Sequence, residues 1–133
     1  MEVFKLSDPL YERDIVILVG ENEVALGAYL KKEHGESVKI YNKENAVDNT
    51  PDPQNDGCQF NVRDDVSQTF YVWIARRDIA LLHHEMQHLT FDIMDAVGMS
   101  YCDESEEAYT YFGAHLFKQA VELIFPVVAK DLV

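Results

Sequence analysis

What most limits the fold open to this chain is a run of apolar, β-branched residues near its start, Asp14-Ile15-Val16-Ile17-Leu18-Val19-Gly20. It lacks the alternation of a half-exposed strand, so it reads as a strand buried on both faces and ended by glycine. A second strong strand signal, Gln68-Thr69-Phe70-Tyr71-Val72-Trp73-Ile74, is aromatic and β-branched. Residues 38–41 and 58–62 alternate and are shorter strand candidates, and Asp64-Asp65 fits a turn. Residues 42–57, rich in Asn, Asp and Pro, read as a polar loop, so the region 38–63 is polar with short strands. Residues 1–13 are mixed and contain Pro9, which points to a loop or a short extended lead.

The remaining signals are helical. Val24, Ala25, Leu26, Ala28, Tyr29 and Leu30 form a loose stripe within 21–34, with Gly35 as the stop. Ile79, Leu82, Met86, Leu89, Ile93 and Val97 form a stripe over 78–97, with Asp78 as N-cap and Gly98 as C-terminal stop. Residues 106–124 hold Ala108, Phe112, Leu116, Ala120 and Leu123 at helical spacing, after Ser105 and before Pro126. Strands lie in the first half and the two longest helices in the second. The expected fold is α+β, one domain over 1–133, with a small mixed sheet packed against a long helix and a second C-terminal helix.

The helical stretch 78–97 holds the chemistry. His84-Glu85-Met86-Gln87-His88 is H-E-x-x-H. Residues four apart share a helix face, so His84 and His88 can point two imidazoles at one metal ion. Glu85, one step round, can reach a water on that metal, which is the zinc-hydrolase arrangement. A catalytic zinc takes three protein ligands and keeps one open position. The metzincin pattern fails, because its further positions hold Phe91 and Met94. Asp92 lies about 12 Å along the helix from His84 and reads as an outer or solvent group. Glu107, 19 residues after His88, stands at the head of the next helix, where an antiparallel return can bring a carboxylate to the metal; Glu106 and Glu104 are competitors. His83 has no histidine four residues away, and Trp73 reads as strand packing.

H-E-M-Q-H followed by E-A at the head of a helix resembles the gluzincin class of zinc metallopeptidases. The stretch 84–117 is similar to small H-E-x-x-H proteins of tailed bacteriophages and prophages, which pair the motif with an E-A-Y-x-Y-type segment. The resemblance implies a zincin-like domain, a peptide or protein substrate, and zinc held by His84, His88 and Glu107 with Glu85 as general base. It also implies an outer group holding the first histidine and a donor to the transition state. The Asp that larger gluzincins place four residues after the ligand Glu is Tyr111 here, and Tyr71, Tyr109 and His115 are candidates for the donor. The strand 70–74 is expected to pair with an extended substrate.

Composition narrows the alternatives. The chain carries 24 acidic and 11 basic residues, net −13. That disfavours nucleic acid and favours a basic peptide partner; an acidic DNA mimic is the least favoured rival, since it leaves the histidine motif without a purpose. No stretch is long and apolar enough for a membrane span, and the first residues lack a signal-peptide pattern, so a cytoplasmic protein with Cys58 and Cys102 reduced is expected. The rival that keeps the metal is a zincin-like binding module without catalysis.

Overall fold

In the computed structural model, which describes residues 1–35, 39–41, 56–63 and 67–126, the run of apolar residues is strand β2 (Asp14–Val19). It is buried on both faces as its composition requires, with Ile15, Ile17 and Val19 in one core and Val16 and Leu18 in the other. Its neighbours are β1 (Glu2–Leu6), antiparallel, and β5 (Gln68–Ile74), parallel. Strand β4 (Gly57–Arg63) pairs antiparallel with β5, and β3 (Lys39–Tyr41) pairs antiparallel with β4. The result is a five-stranded mixed sheet in the order β1-β2-β5-β4-β3.

Helix α1 (Glu23–His34) covers one face. Asn22 caps it by accepting from Ala25 N–H at 3.0 Å, and Gly35 ends it at φ 82°. Its Leu26 and Leu30 pack on Val16, Leu18, Phe60, Tyr71 and Trp73. Helices α2 (Ile79–Ala96) and α3 (Glu106–Ile124) cover the other face and seat Leu82, Met86, Leu89 and Ile93 with Phe112, Leu116 and Ala120 against Ile17, Phe70 and Val72. Burial of this kind is the main stabilising term of a small domain. Gly98, at φ 82°, reverses the chain after α2: its N–H bonds Asp95 O at 3.0 Å, and Met99 N–H bonds Met94 O at 2.9 Å.

The lead takes the extended of its two readings: residues 2–6 form the edge strand β1, ordered by pairing with β2 and by the Arg77 guanidinium, which donates to both Glu2 carboxylate oxygens at 2.5 and 2.7 Å. One expectation changes: β5 cannot take a substrate strand, because both its edges are already paired, to β2 and to β4. The polar stretch 42–55 and the turn at 64–66 lie outside the described residues. No helix among the described residues is long and apolar enough to cross a membrane.

Candidate metal centre

Helix α2 begins where Asp78 accepts from the N–H groups of Ala80 and Leu81 at 3.0 and 3.1 Å. Its buried residues, Leu82, Glu85, Met86, Leu89, Thr90, Ile93 and Met94, define the face turned to the sheet and α3. His84 and His88 fall on the other side and are exposed. Their rings face each other, with centroids 4.9 Å apart and planes inclined at 73°. Glu85, between them, is buried. Its side chain is 7% exposed against 65% for His84, and its Oε1 stands 3.8 Å from His84 Nε2, beyond a hydrogen bond but within an ionic contact.

A buried carboxylate needs polar company, and β4 supplies a polar wall on that edge of α2. The side chains of Gln59 and Asn61, both buried, point to this face, and their amides donate to Asp92 Oδ2 at 2.7 and 2.9 Å. Asp92, one turn beyond His88, is thereby held on the Glu85 side of the helix instead of reaching solvent. Sequence reasoning passes over Gln59 and Asn61; the signal that finds them is polar residues alternating with Cys58, Phe60 and Val62 in a buried strand.

Zinc fits this structure in part. Two facing, accessible imidazoles on one helix are a donor pair for a divalent ion. The third donor does not join them. The register of α3 on α2 is set by three contacts: the His83 ring against Phe117 at 5.0 Å, Thr90 against Gly113, and Phe91 against Tyr109 at 5.0 Å. A Cβ at Gly113 would lie 3.2 Å from Thr90 Oγ1, so any larger residue there would require Thr90 to give by a few tenths of an ångström. With position 109 beside 91, Glu107 falls roughly 8 Å along the axis past His88. It lies with α3 on a flank of α2 that the imidazoles do not share, and it is exposed, as is Glu106. Among the described residues, no group of three or more His, Cys, Asp or Glu is placed to hold a metal ion.

The other candidates scatter. Tyr71 lies on the opposite face of the sheet, stacked on Phe60 at 5.1 Å and bonded to His34 Nε2 at 2.5 Å, so it cannot meet a substrate at α2. Burial pushes its phenol far up, with Tyr29 and Glu33 adding to the shift. Tyr111 is 73% exposed and turned to solvent, not to an imidazole. Tyr109 is buried and donates to Met99 O at 3.0 Å; burial first and the Asp95 carboxylate next raise its phenol. His115, exposed, shares a 3.0 Å contact with Gln119 Nε2 one turn on. Trp73 packs in the α1 core, as strand packing requires. Both cysteines are free thiols, Cys58 buried and Cys102 exposed; a hydrogen bond from Cys102 holds the Glu104 carboxyl below its ordinary value.

No family model, no curated protein and no solved structure matches the chain.

Proposed function

We propose that this chain is a zinc-dependent hydrolase of peptide bonds, with the metal on His84 and His88 and Glu85 as general base. The observation that supports it is the motif's geometry on α2: two accessible imidazoles face to face, with one carboxylate sheltered beside them. When bound, zinc would supply Lewis-acid polarisation of the scissile carbonyl and acidify water. Glu85 takes the proton of the attacking water and returns it to the leaving amine. His84 and His88 hold their orientation through the helix, and the β4 amides hold Asp92 away from the pair.

One observation favours a second reading. Glu107 stands away from the imidazoles, so described protein donors cover two positions where a catalytic zinc uses three. A zinc-binding interaction module, its remaining positions filled by a basic protein partner, needs no more than the pair.

Metal analysis and a peptide library separate these readings. Hydrolysis predicts one zinc per chain, cleavage by the zinc-loaded protein, and a Glu85→Gln variant that retains zinc and loses cleavage. Zinc retained with an untouched library selects the interaction module. A chain that takes up no zinc under any loading sinks both.

A further inference from the structure

The seam between α2 and α3 holds a cavity of about 530 Å³ that the metal reading does not use. Its middle is lined by Gln87, Thr90, Thr110, Gly113 and Ala114, residues too small or too polar to fill the space between two helices. His83 and Phe117 close one end. At the other end Phe91, Tyr101 and Tyr109 form a cluster in which every pair of ring centroids lies 5.0–5.6 Å apart. Phe91 is 37% exposed and Tyr101 56% exposed, so ring faces remain open at the mouth. A volume of this size with a mostly apolar wall and a few polar groups is that of a small-ligand site.

Charge decides which ligand. Among the described residues, no lysine, arginine, aspartate or glutamate lines the cavity. Close in the chain to its aromatic residues, however, stand Asp95, Asp103, Glu106 and Glu107, all exposed and none in an ion pair with a described cation. The Asp95 carboxylate stands near enough to the Tyr109 phenol to add to the rise that burial causes. Aromatic faces add to the same preference, because their quadrupole attracts cations.

We propose that the α2–α3 seam binds an organic cation with an apolar body, its charge against Phe91, Tyr101 and Tyr109 and its body along the groove floored by Thr90 and Gly113. The site is independent of the metal reading, since it lies on the flank of α2 away from Glu85 and uses neither His84 nor His88. Its occupant is a free amine or the side chain of a basic peptide, which share this chemistry.

Titration of the whole protein with three probes of one shape, followed by amide chemical shifts, tests it. Phenethylammonium is expected to bind about fivefold or more tightly than 2-phenylethanol, and 3-phenylpropionate not to bind. Shifts should fall on residues 87–91 and 109–114. Tyr101→Ala, at an exposed ring, should reduce phenethylammonium binding about fivefold, and Ala114→Phe, filling the cavity from its exposed rim, should abolish it. A blocked peptide with one lysine among alanines, binding more tightly than phenethylammonium, assigns the occupant to a protein; weaker binding assigns it to a free amine. Equal binding of the three probes, no binding of phenethylammonium, or shifts elsewhere overturns the proposal.

Discussion

The two flanks of α2 are built on opposite plans. Toward β4, the helix turns Glu85 and Asp92, and the sheet answers with Gln59 and Asn61, so that edge is held by hydrogen bonds. Toward α3, it turns Met86, Thr90 and Phe91, and the partner answers with Gly113, Phe117 and Tyr109, so that edge is held by shape and leaves a cavity. Between the two runs a spine of Leu82, Leu89 and Ile93, all fully buried. The difference teaches that polar burial is specific where apolar packing is permissive. Asp92 has one arrangement that satisfies two amides, whereas a helix seam can stay part-empty and still bury its rings.

The spine sets the scale for any comparison of the flanks. Leu89→Ala removes a side chain at 0% exposure and should cost about 2–5 kcal/mol in urea unfolding. Asp92→Ala should come next, at about 1–3 kcal/mol, because it removes the acceptor that two buried amides share. The discriminating measurement is the double variant with Gln59→Leu. If the β4 edge is held by the hydrogen bonds, the second change recovers part of the loss; simple addition of the two costs would show that Asp92 works alone.

Much of this arrangement was readable in the residues, and the misses have physical causes. Strand β2 declared itself because burial on both faces leaves a five-residue apolar run, and β5 because aromatic and β-branched residues leave no other reading. The caps of α2, Asp78 and Gly98, act through local backbone geometry, which sequence carries directly. Strand β1 is legible only as a short extended lead, because Glu2 and Lys5 interrupt it and its order comes from pairing with β2. Tyr71 was misplaced although parity holds the answer: if Phe70 and Val72 face the two long helices, Tyr71 must face α1. Glu107 shows a harder limit. Nineteen residues suffice to bring a carboxylate back, but the rotation and register of α3 follow from Gly113 settling on Thr90 and from the ring contacts at either end of the seam, a tertiary fit that spacing does not encode. Gln59 and Asn61 belong to the same class, since their partner is 31–33 residues away.

The seam flank predicts a smaller effect than the β4 edge. Thr90 is not free to yield, because its hydroxyl donates to Met86 O at 3.0 Å. Gly113→Val should therefore force the helices apart and cost about 1–2 kcal/mol, at the low end of overpacking because the cavity beside it can absorb some displacement. Thr90→Ala in the same chain should restore part of that loss. No restoration would mean that the register rests on the aromatic ends of the seam instead of on its small-residue floor.

The smallest effect belongs to the outward stripe, which neither flank supports. His84 is exposed, and among the described residues its ring meets His88 and the distant Glu85 oxygen, so His84→Ala should change metal-free stability by no more than about 0.5 kcal/mol. The same substitution should remove any rise in Tm on adding zinc, because a ligand that binds only the folded chain stabilises it in proportion to its affinity. Thermal melts of wild type and variant, each with and without zinc, read both statements at once. A large metal-free loss would make His84 a structural residue. A zinc-dependent rise that survives in the variant would move the metal elsewhere and leave the helix with an accidental pair.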